Sequence, residues 1–169
     1  DLAANMWRNP GEIAGNNIDD DGNGFVDDVF GWDFGSNDND PNDDSADPGH
    51  GTHVAGTIGA AGHHGVGVTG VNWNVGIMAL KIADDAGNLT TSAIIGAVNY
   101  VTMMREQFGV NIVASNNSYG GYGISSAERA AIDAHCGADV IFVAAAGNDS
   151  INNDVFPAYP ASHKNPLVM

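Results

Sequence analysis

Three mostly apolar runs, separated by helix-length segments, constrain this chain more than any other feature. Gly76-Ile77-Met78-Ala79-Leu80-Lys81-Ile82, Ile112-Val113-Ala114-Ser115 and Val140-Ile141-Phe142-Val143-Ala144-Ala145-Ala146 read as strands. Between the first two, residues 92–106 carry Ile94, Ala97, Val98 and Val101 at the spacing of one helix face. Between the second and third, Ser125-Ser126-Ala127-Glu128 is a capping box that opens a helix through about His135. Continuous apolar strands alternating with helices predict an α/β fold, a parallel sheet with helices on both faces. Phe30-Gly31-Trp32-Asp33-Phe34 adds a short buried strand upstream. Ligands of such sheets gather beyond the carboxyl ends of the strands. Here those ends run into Asn116-Asn117-Ser118-Tyr119-Gly120-Gly121 and Gly147-Asn148-Asp149.

Charge narrows the partners. The 169 residues carry 21 acidic and 5 basic side chains, a net charge of −16. Nucleic acid and anionic membrane both need clustered Lys and Arg, so neither is an expected partner. No run of eighteen apolar residues is present, and no N-terminal signal pattern is read. A mature secreted chain would look the same, so location stays open on these grounds. The lone Cys136 excludes an intrachain disulfide and reads as a small buried thiol.

The acid is unevenly spread. Eleven aspartates from Asp19 to Asp47 share a window without Lys or Arg. Within it, Asp19-x-Asp21-x-Asn23-Gly24 has the alternate oxygen ligands and turn glycine of a calcium loop. Phe25 could add a backbone carbonyl, and Asp27 or Asp28 could close the shell. The terminal Glu of an EF-hand is missing, its place being taken by Phe30. The candidate ligands are therefore Asp19, Asp21, Asn23 and Asp28, against the alternative of a solvated acidic turn.

His50-Gly51-Thr52-His53-Val54-Ala55-Gly56 puts a histidine at the head of a run of small residues. It predicts a short buried helix over 50–61 that its neighbours approach closely, with His53 as a packing residue. Gly62-His63-His64-Gly65-Val66-Gly67 then reads as a surface loop. No H-E-x-x-H or comparable set supports a metal-dependent hydrolase.

This heptapeptide resembles, without substitution, the histidine motif of the subtilisin-like serine proteases. Ala144-Ala145-Ala146-Gly147-Asn148 resembles the same family's second motif. The resemblance implies endopeptidase hydrolysis by acyl transfer, with His50 as general base and Asn148 as oxyanion donor. It further implies a secreted protein acting on peptides or proteins. Ser118, Tyr119 and Gly120 resemble one substrate-binding strand, Gly87 and Leu89 the opposite one, and Ala145 and Gly147 the small lining of the S1 pocket. The Gly-Trp-Asp-Phe segment is similar to that of family members that bind calcium just before the histidine. It makes Asp33, Asp38 and Asp40 a second candidate calcium site. The family's calcium insertion near residues 62–68 looks too short here, so neither that site nor a calcium role for Asp1 is carried over.

Two family motifs do not occur among the 169 residues. The strand carrying the catalytic aspartate would precede Asp1, and no G-T-S-M-A nucleophile motif is present. The expectation is a central, partial peptidase domain over residues 1–169. It divides into an acidic region at 16–47, the histidine helix at 50–61 and a βαβαβ region at 76–148. Such a chain would be inactive alone and prone to self-association or to completion by another chain.

Overall fold

The computed structural model describes all residues except 46–48, 64 and 66. Asp47 of the acidic window, and His64 and Val66 of the surface-loop reading, thus lie outside the described residues. The elements in order are β1 (Gly31–Asp33), α1 (His50–Gly59), β2 (Ala79–Lys81), α2 (Thr91–Glu106), β3 (Ala114–Asn117), α3 (Ser126–Gly137) and β4 (Ile141–Ala144). The chain divides into two compact units, Asp1–Ala93 and Ile94–Met169.

In the first unit β1 and β2 pair in parallel, with Gly31 opposite Ala79 and Asp33 opposite Lys81. Gly31 is required there, because a Cβ would sit 1.8 Å from the Ala79 carbonyl oxygen at a φ of +128°. Phe25 packs edge-on against Trp32 and Phe34, at 5.0 and 5.8 Å between ring centres. A parallel bridge from Met6 to Ile77 prolongs the line of β2 towards its amino end.

Helix α1 departs from expectation at one end. Its carboxyl end is tightly approached, with Gly59 so close that a Cβ would lie 2.5 Å from Val75 Cγ1. The Thr57 and Ile58 carbonyls accept the N–H groups of Val71 and Asn72, and that of the cap residue Ala60 accepts the Gly70 N–H. Its amino-terminal turn, including His50 and His53, is exposed, and only Gly56 and Gly59 of the helix are buried. The prediction of a buried helix with His53 as a packing residue is corrected accordingly. Glycine, alanine and threonine offer little apolar side chain to bury, so contact is limited to close backbone approach at Gly59.

In the second unit β3 and β4 pair in parallel, with Ala114 opposite Ile141 and Asn117 opposite Ala144. A bridge from Phe142 to Val168 adds the chain end to the other edge of β4. Val98 of α2, Ala131, Ile132 and Cys136 of α3, and Phe142 of β4 form the core. Ile94, Ala97, Val98 and Val101 are all buried, as the helical spacing requires. Ser125 Oγ accepts the Glu128 N–H at 3.0 Å, so the capping box operates. The strands are shorter than the apolar runs, and Val113 and Val143 are 63% and 38% exposed. The pairing is parallel as expected, but the described strands form two separate pairs, each within its own unit.

His135 is fully buried, edge-on to Phe142, with Nε2 3.0 Å from Ser115 Oγ. Burial pushes its imidazole down from 6.5 to about 4. The Val98 backbone opposes this in part, while Nδ1 has no hydrogen-bond partner among the described residues. The Cys136 thiol is buried and pushed up by that burial, which fits an inert packing thiol.

Candidate active site

The second unit gathers one coherent group. A pocket of about 580 Å³ is lined by Ser118, Tyr119, Gly120, Ala145, Gly147 and Asn148, among others. Both walls are strand ends: residues 118–121 continue β3, and residues 145–148 continue β4. Asn117 Nδ2 ties the two, donating to the Val143 carbonyl at 3.3 Å. Gly147 has a φ of +93°, a left-handed conformation that turns the chain at the strand end. Asn148 follows it, exposed on the pocket lining. Among the described residues nothing engages its side-chain amide, which leaves a neutral N–H donor on a fixed strand end. Ser118 Oγ accepts from Asn116 Nδ2 at 2.8 Å.

One contact on the lining went unread in the sequence. The Tyr122 hydroxyl donates to the Asp149 carboxylate, and both residues line this pocket. Nothing local marks that pair, since it joins residues 27 apart in the chain.

Gly87 and Leu89 belong to the first unit. Gly87 turns the chain at φ +82°, its N–H donating to the Asp84 carbonyl at 2.8 Å, and Leu89 bridges back to Ala83. His50 also belongs to this unit. Its helix begins after Gly49, at φ +103° and with no side-chain cap. Asp43 supplies the missing cap, its Oδ2 accepting the Thr52 N–H at 2.8 Å. Burial opposes ionisation of Asp43, but the Thr52 and Gly49 N–H groups, with His50 nearby, hold its carboxyl below the usual range.

The acidic region sorts itself by partner. The carboxylates of Glu12, Asp21 and Asp28 converge, with ligand atoms within 4.8 Å of one another. Asp28 is fully buried. The Asn9 amide donates to Asp21 and Asp28 at 2.9 and 2.8 Å, and the Asn23 amide to Asp28 at 2.8 Å. Burial, then the charges of Asp28 and Asp21, hold the Glu12 carboxyl above its ordinary range, against N–H bonds from Asp21 and Asp20. Three converging carboxylates with an amide at their side suit a hard divalent cation. Asp19 stands outside this group and binds the N–H groups of Gly22, Asn23 and Gly24 in its own turn. Sequence reading missed Glu12, although it is the sole glutamate before Glu106.

Asp33, Asp38 and Asp40 are not brought together in the same way. Asp33 is buried against Lys81 Nζ at 2.8 Å. Asp38 and Asp40 accept backbone N–H groups of Asp40 and Asn42 at 3.0 and 3.2 Å. Asp1 Oδ2 accepts the Val68 N–H at 2.9 Å.

The family follows from comparison with known proteins. Residues 2–169 match the model of the subtilase family, peptidase S8. The chain belongs to that family. It is 32% identical over 151 residues to "Subtilisin-like protease 1" of Plasmodium berghei (strain Anka), covering 89% of this chain and 24% of that protein. It is 39% identical over 116 residues to "Subtilisin DY" of Bacillus licheniformis, covering 68% of this chain and 40% of that one. Among solved structures, "Sphericase" superposes with a TM-score of 0.62 at 29% identity, over 71% of this chain and 39% of that one. The chain thus spans less than half the length of these relatives, and the shared fold is the subtilisin-like α/β fold.

Proposed function

We propose that this chain is the base-and-oxyanion portion of a serine endopeptidase that hydrolyses peptide bonds by acyl transfer. The observation that carries the reading is Asn148, an exposed, unengaged amide at the end of β4 on the lining of the pocket. In the proposed reaction His50 takes the proton of the nucleophilic serine as its oxygen bonds to the scissile carbonyl carbon. Asn148 donates to the oxygen as it gains negative charge. His50 then protonates the departing amine, leaving an acyl ester that water hydrolyses by the same steps. Residues 118–120 would pair with substrate backbone as an added strand, with Ala145 and Gly147 lining S1; Gly87 and Leu89 are proposed as substrate-binding by family resemblance. Extracellular peptides or proteins are the proposed substrates, by family resemblance.

Neither the serine nor the aspartate that orients His50 has a matching motif among residues 1–169. By themselves these residues would form a catalytically silent piece, prone to self-association. A fluorophosphonate serine probe should therefore label no serine in residues 1–169 alone, and casein should not turn over. Stoichiometric labelling with turnover would overturn the reading.

Calcium is the proposed ion. Glu12, Asp21 and Asp28 fit it best, with Asn23 beside them and Asp19 shaping the turn. A bound Ca²⁺ would neutralise the converging carboxylates. Binding to the native state alone adds about 2.7 kcal/mol at a hundredfold excess over Kd. Thermal melts in calcium and in chelator, at matched ionic strength, should separate, and Glu12→Gln should shrink the gap. Coincident melts would reject calcium.

A further inference from the structure

Lys81 joins two aspartates, Asp33 and Asp44, of the segment between β1 and the histidine helix. Its Nζ lies 2.8 Å from Asp33 Oδ2 and 2.7 Å from Asp44 Oδ1. The Lys81 and Asp33 side chains are 9% and 2% exposed, and Asp44 is 56% exposed. Asp33 ends β1 directly opposite Lys81 on β2. The loop between Asp33 and Asp44 also holds Asp38, Asp40 and Asp43 and no basic residue. Arg8 and Lys81 are the sole Lys or Arg residues in the Asp1–Ala93 unit. Bonds to both aspartates, outweighing partial burial, raise the Lys81 ammonium well above its usual range, so it stays charged.

The next residue back from Asp44 is Asp43, which caps α1 at Thr52. That cap matters because Gly49 has no side chain with which to cap the helix. His50 is the first residue of the helix so held.

We propose that Lys81 is a positioning residue for His50, acting as a built-in cation where the sequence suggested a metal. It neutralises Asp33 and Asp44, closes the acidic loop at its base, and so keeps Asp43 on the first turn of α1. Without it, a buried carboxylate faces a second one, and repulsion opens the loop. The catalytic consequence rests on the reading of His50 as general base, whereas the structural claim does not.

The test is residue-resolved amide hydrogen exchange on the 169-residue chain. Lys81→Met should lower protection of the Thr52 amide about fivefold or more, the scale of a lost helix cap. The Phe142 and Ala145 amides of the other unit should keep their rates. Lys81→Arg should restore Thr52 protection, and Asp43→Ala, which removes the acceptor, should lose it with β1 and β2 intact. Should Lys81→Met fail to fold, Asp44→Ala spares the Asp33 pair and should still loosen Thr52. Unchanged Thr52 protection in a folded Lys81→Met or Asp44→Ala chain would overturn the proposal. In a polypeptide extended to the full set of subtilase motifs, Lys81→Met should lower kcat and leave KM nearly unchanged. Unchanged kcat in an active extended enzyme would overturn the link to His50. Absence of turnover in the unsubstituted extended protein would instead sink the peptidase reading, with the exchange result still standing.

Discussion

Asn148→Leu, in a polypeptide extended to the full set of subtilase motifs, is expected to lower kcat by about 10²–10³-fold, the range known for subtilisin's own oxyanion donor. Leucine has nearly the same size and no N–H, so the change removes the donor and spares the shape. The amide meets full negative charge in the transition state and a weaker carbonyl dipole in the bound substrate. The loss should therefore fall on kcat, with KM nearly unchanged. Steady-state kinetics on a peptide anilide resolve the two. A large rise in KM with kcat intact would make Asn148 a substrate-binding residue. No change in either would remove it from the site.

Acidification should weaken the fold through His135. In the native state this imidazole stays neutral down to about 4, whereas 6.5 is its ordinary value. Between those values the unfolded chain binds a proton that the folded chain refuses. The contribution is thus intact above 6.5 and is lost progressively as pH falls towards 4. The full difference corresponds to at most about 3 kcal/mol, a large share of the stability of a small domain. Denaturant unfolding at pH 7 and at pH 4, compared between the native chain and His135→Gln, isolates this group from the carboxylates that titrate alongside. The variant should lose about 3 kcal/mol less over that interval. Parallel pH dependences would show that His135 is not held neutral by its burial.

What was legible in the sequence was local. Ser125 and Glu128 are three apart, and their capping box signals itself without knowledge of anything distant. The buried face of α2 follows from spacing alone, as does the parallel pairing from apolar runs set a helix apart. The position of His50 at the head of α1 was likewise legible, because small residues following a polar start leave few alternatives. The exposure of His53 and of the first turn was not, since burial depends on what lies opposite.

The acidic region shows the same limit more sharply. Asp19, Asp21 and Asn23 have ligand spacing, yet Asp19 turns to its own backbone while Glu12 arrives from seven residues upstream. Asp33 has the composition of a metal ligand, but the β1–β2 register sets Lys81 against it. A cation partner 48 residues away cannot be read from an acidic motif. The Tyr122–Asp149 contact on the pocket lining is hidden for the same reason.

The most direct test of the central claim is to locate the fluorophosphonate adduct by mass spectrometry in the extended polypeptide. The account predicts a single labelled serine outside residues 1–169, with labelling suppressed by His50→Ala. A stoichiometric adduct on Ser118 or on any other serine within residues 1–169, or labelling indifferent to His50→Ala, would contradict it.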